Sequence, residues 1–68
     1  MRRNFETLKN EIEKITRETN SFVTLERGSA DARGYENGFY VKNIVTNLVQ
    51  KQFKNLKEVE IYIEEVLK

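Results

Sequence analysis

The chain predicts an α+β fold of order α-β-β-β-α, a three-stranded antiparallel meander with two helices on one face. Three observations carry that expectation. Apolar residues recur with a 3.6 period near each end of the chain. Between them lie three short runs rich in β formers. Asn, Ser and Gly fall at the joins, where the backbone must turn. With 68 residues there is room for one small domain, 1–68, whose core is thin.

The first helix is expected over 4–19. Phe5, Leu8, Ile12 and Ile15 fall at steps of three, four and three, a single stripe, with Asn4 as N-cap. Thr19, Asn20 and Ser21 end it, because their side chains compete for backbone hydrogen bonds. The strands are expected at 22–27, 39–44 and 48–53, with a long loop over 28–38 that carries all three glycines. That loop exceeds the ~2–5 residues of an ordinary hairpin connection, so it is read as mobile or functional. A capping box at Asn55 and Glu58 opens the last helix, 56–67, with Leu56, Val59, Tyr62 or Ile63, and Val66 as its stripe.

The second hairpin can be registered from side-chain chemistry. A two-residue turn would force φ > 0 on Thr46 and set Lys42 opposite Lys51. A three-residue loop, Val45 to Asn47, puts Asn47 in the left-handed position and pairs Phe39 with Phe53, Val41 with Lys51, and Ile44 with Leu48. The inner face then holds Val23, Leu25, Phe39, Val41, Val49 and Phe53. Lys51 points the same way, a cation that blunts an edge strand. The expected core is Phe5, Leu8, Ile12, Val23, Leu25, Val41, Phe53, Val59 and Ile63.

The outer face carries Phe22, Thr24, Glu26, Tyr40, Lys42, Ile44, Leu48, Gln50 and Gln52. Its apolar members, rimmed by Lys and Gln, have the look of an interface. The expected protein-contact residues are Phe22, Tyr40, Lys42, Ile44, Leu48 and Gln50, joined by Arg33 and Tyr35 from the loop.

Catalysis is not expected. The chain has neither His nor Cys, and Ser21 and Ser29 have no base in view. Glu64 and Glu65 read as a solvated helix face, and Asp31 lacks the alternating oxygen ligands of a calcium loop. No phosphate-binding glycine motif occurs. Neither a cofactor, a metal nor a small-molecule substrate is expected. No apolar run is long enough to span a membrane and the N-terminus lacks a secretory signal, which predicts a cytoplasmic protein without membrane contact.

Charge is arranged unevenly. Between Asn37 and Lys57 there is no acid, while Lys42, Lys51, Lys54 and Lys57 all fall there. Nucleic-acid contacts through Lys42, Lys54, Lys57 and Arg33 are therefore the alternative expectation. A net charge of +1 weighs against it.

The α-β-β-β-α order resembles the double-stranded-RNA-binding domains, with Lys54 and Lys57 echoing that family's basic entry to the last helix, though no small residues follow. Residues 38–67, through Phe53-Lys54-Asn55-Leu56-Lys57-Glu58, also resemble the arm-type DNA-binding domains of mobile-element integrases. A tiny chain without Pro, in which Lys, Asn and Ile supply 19 residues, looks like products of phages and mobile elements of AT-rich bacteria. The function expected from all of this is a small non-catalytic regulator or inhibitor that acts through protein contacts, with self-association into a dimer as its simplest form.

Overall fold

The computed structural model describes residues 4–67. Its elements run α1 (Phe5–Glu18), β1 (Val23–Arg27), β2 (Phe39–Asn43), β3 (Val49–Phe53) and α2 (Leu56–Tyr62), continued by a π-helical turn, Ile63–Leu67. The sheet is antiparallel with order β1-β2-β3, so β2 is central and both neighbours are edges. Each expected element is present: α1 is shorter by one residue at each end, each strand by one residue at one end, and the last helix keeps its expected span but turns π-helical from Ile63.

α1 begins where expected, with the Asn4 side chain accepting the Thr7 N–H at 2.9 Å. It ends in a Schellman motif. Asn20 takes the left-handed conformation (φ 61°) and donates to the Arg17 carbonyl, while the Ser21 N–H reaches the Thr16 carbonyl at 2.7 Å. Phe22 is also left-handed, at φ 50°, which a bulky side chain resists. That conformation keeps Phe22 out of β1 and corrects its expected place as the first residue of the strand.

The buried apolar residues are the nine expected from the sequence, Phe5, Leu8, Ile12, Val23, Leu25, Val41, Phe53, Val59 and Ile63, in one cluster. Helical period and strand parity suffice to find them, because one face of each element is sealed. Thr16 was not expected there. It is buried, and its hydroxyl meets both backbone groups of Val23: it accepts the N–H at 3.1 Å and lies 3.2 Å from the carbonyl. Ile15, expected in the stripe, lies only partly buried beside the cluster.

The β2–β3 hairpin departs from the expected register. Phe39 faces Phe53 and Val41 faces Lys51 as expected, but Lys42 then faces Val49, and the extra residue makes a β-bulge at Gln50. Asn43 donates to the Leu48 carbonyl, so the loop is four residues, Ile44 to Asn47, and Ile44 does not face Leu48. Asn47 is left-handed as expected (φ 61°). The bulge reverses parity, so Val49 leaves the inner face and is 42% exposed.

α2 opens on Asn55, whose side chain accepts the Glu58 N–H at 3.0 Å. The Glu58 carboxylate returns to the Lys54 N–H at 2.9 Å, one residue outside a standard capping box. The wide π turn then breaks the stripe. Leu67 packs against the core in place of Val66, which is 62% exposed.

Candidate functional site

The expected contact residues divide among three places: the outer sheet face, the hairpin tip and the 28–38 loop. Tyr40, opposite Glu26 and Gln52, and Lys42, opposite Thr24 and Val49, are half-buried on the outer sheet face. Ile44, Val45 and Leu48 stand at the hairpin tip, Val49 and exposed Gln50 follow them, and Phe22 joins from the chain before β1. Phe22 is held beside the tip because its carbonyl accepts the Ile44 N–H at 2.8 Å. Leu48 pairs with Asn43, so it belongs to the tip and not to the outer face.

Among the described residues this tip concentrates exposed apolar surface: Val45 is 74% exposed, Leu48 67% and Ile44 51%, with Phe22 and Val49 beside them. The sequence hid Val45 inside a turn and assigned Val49 to the inner face of the sheet. Only a bulge prediction would have corrected the second.

One side chain braces the tip. The Asn43 carbonyl oxygen of the amide accepts the N–H groups of Val45 and Thr46, each at 2.9 Å, and its amide nitrogen donates to the Ser21 carbonyl at 2.8 Å. The Thr46 hydroxyl accepts the Leu48 N–H at 3.3 Å, and the Asn47 N–H reaches the Asn43 carbonyl at 2.8 Å. An apolar knob is thus presented on an ordered backbone, which lowers the entropy lost when a partner binds.

The 28–38 loop closes on itself, with the Gly28 N–H on the Gly38 carbonyl at 2.7 Å. From the outer face, Gln52 accepts the Ala30 N–H at 3.0 Å and donates to the Asp31 carboxylate at 3.0 Å. The Ser29 hydroxyl donates to the Asp31 carbonyl. Gly34 lies against the Gln52 amide so closely that a Cβ would collide with it. The Gln52 amide, then the Arg33 backbone N–H, hold the Asp31 carboxyl below the usual carboxylate range. Arg33 and Tyr35 are exposed on this tethered loop.

The candidate nucleic-acid contacts are less well gathered. Lys42 belongs to the outer face and Arg33 to the loop. Lys54 precedes the α2 cap and Lys57 lies in its first turn. The Glu58 carboxylate already occupies the backbone donor next to that cap, which puts negative charge where a phosphate would approach.

A second apolar surface lies between β3 and the C-terminal helix. It is an open groove of about 200 Å³ lined by Lys51, Phe53, Glu58, Ile61, Tyr62, Glu65 and Val66. Tyr62 packs edge-on against Phe53, with ring centres 5.2 Å apart, and burial pushes its phenol above the ordinary value. The Lys51 ammonium stands 5.8 Å from the Tyr62 ring centre and 6.0 Å from that of Phe53. Lys51 thus points to the helix side as expected, although its side chain is exposed.

Among the described residues, no group of three or more Asp and Glu could hold a metal ion, and no helix is long and apolar enough to cross a membrane. The chain matches no protein-family model, no curated protein and no solved structure.

Proposed function

We propose that the chain is a non-catalytic interaction module that docks protein through its hairpin tip. The observation that carries this reading is the braced cluster of Phe22, Ile44, Val45, Leu48 and Val49, apolar side chains held out on a hydrogen-bonded turn. Strain at Phe22 supports it, since a bulky residue with φ > 0 is retained where the surroundings hold it and function repays it. In this reading Tyr40 and Lys42 flank the contact, and the 28–38 loop frames the opposite end of the sheet. A cytoplasmic regulator or inhibitor of the phage or mobile-element kind fits the size and composition.

The test compares capture from a lysate by wild type, Ile44→Asp/Leu48→Asp and Lys54→Glu/Lys57→Glu, with circular dichroism to check that each variant folds. The reading expects a protein partner that the tip variant loses and the lysine variant keeps. Salt-sensitive capture of DNA or RNA, lost in the lysine variant and kept in the tip variant, would overturn it.

A further inference from the structure

We infer that the tip of one copy docks into the groove between β3 and the C-terminal helix of a second copy. The inference rests on the docking role of the tip and names its occupant.

The two surfaces are complementary in shape. The tip is a protrusion whose outermost side chains, Val45 and Leu48, are largely exposed. The groove, at about 200 Å³, is smaller than the ~300 Å³ at which ligand pockets begin, so it suits one or two side chains better than a small molecule. Its exposed apolar rim comes from Ile61 and Val66. Val66 is there because the π turn takes it off the core stripe and seats Leu67 instead.

They are also complementary in charge. The tip lies in the stretch from Asn37 to Lys57, which has no carboxylate and whose nearest cation is Lys42, opposite Val49. The groove lies chiefly on the stretch from Glu58 to Leu67, which has four glutamates and no cation, and Lys51 of β3 is the one cation in its lining. Glu58 and Glu65 line the groove itself. A tip-to-tip pair would bring Lys42 of both copies together around one contact, whereas tip-to-groove sets Lys42 near carboxylates. Because the two surfaces differ, two copies can pair reciprocally about a two-fold axis, each tip in the other's groove, or dock head to tail and leave one groove open to a third.

Complementation by sedimentation tests this. Val45→Asp/Leu48→Asp removes the tip, and Ile61→Lys/Val66→Lys removes the groove. All four positions are exposed, so both variants should keep wild-type helix content. Wild type should associate increasingly across the micromolar range, and each variant alone should associate about tenfold or more weakly. An equimolar mixture should form a one-to-one pair and nothing larger, because it holds one working tip and one working groove. A groove variant that associates as well as wild type would mean tip-to-tip contact and overturn the inference. So would a mixture that stays monomeric, or a wild type that is monomeric throughout. In that last case the docking role of the tip is judged separately: it stands if tip substitution abolishes capture of a different protein, and falls if capture is unchanged.

Discussion

The two ends of the sheet are built alike and finished differently. At the loop end, the Gln52 amide ties down Ala30 and Asp31, and the group at the centre is polar: the Asp31 carboxylate also accepts the Arg33 N–H and its carbonyl accepts the Ser29 hydroxyl. At the tip, the Asn43 amide ties down Val45 and Thr46 of the four-residue loop, and what the loop presents is largely apolar: Ile44 and Val45. One primary amide, with a donor and an acceptor on a short stem, serves both purposes. The difference teaches that order and exposure are separable. A turn can be rigid because its backbone is satisfied, while its side chains are left for another molecule.

The largest effect is expected where both ends lose their common support. Phe53 is fully buried beneath Tyr62 and faces Phe39, so Phe53→Ala should cost ~3–5 kcal/mol and unfold a chain of this size. A chemical-denaturation midpoint equal to wild type would remove Phe53 from the core. Next is Thr16→Val, which keeps shape and leaves the Val23 N–H without its acceptor and the Ile12 and Val23 carbonyls without the hydroxyl proton between them. It should cost ~1–3 kcal/mol, and Thr16→Ser should recover most of that.

Asn43→Ala sharpens the comparison from the tip side. Losing its amide should cost ~1–2 kcal/mol by analogy with a lost helix cap, and raise amide exchange at Val45 and Thr46 while leaving Ala30 and Arg33 protected. Equal loosening of both ends would show that they are coupled and not separately tied.

The smallest effect is expected at the loop, through pH. Because the folded Asp31 carboxyl is held below its ordinary range, the Gln52–Asp31 tie is complete at neutral pH and is lost only as pH falls through that lowered value. The carboxyl is fully exposed, so the change should register locally and not in global stability. The Gln52 side-chain amide signals followed by NMR should titrate in acid in wild type and stay flat in Asp31→Asn. A flat wild-type titration would mean that the tie has no electrostatic part.

How much of this was legible in the sequence depends on whether a position is set by period or by exception. The core was legible because the apolar residues of α1, β1 and α2 keep step with their elements. Thr16 was not, since a hydroxyl on a helix gives no sign that its partner is a strand seven residues on. The tip was half legible: Asn47 announced its left-handed turn, but nothing in Val49-Gln50-Lys51 announces a bulge, whose stability comes from the pairing of another strand. The same gap misplaced Val66, because an α-helical period cannot foresee a π turn.

Each edge strand carries, on its helix side, a cation resting by an aromatic ring: Arg27 lies 4.3 Å from the centre of Phe5, and Lys51 beside Tyr62. A foreign strand adding to either side would have to strip water from that charge. The consequence is one for the material the protein would form. Contacts between tip and groove would exchange side chains only and reverse on dilution, whereas strand pairing would lead to fibres that do not redissolve. The cations at both margins of the sheet weigh against the second outcome.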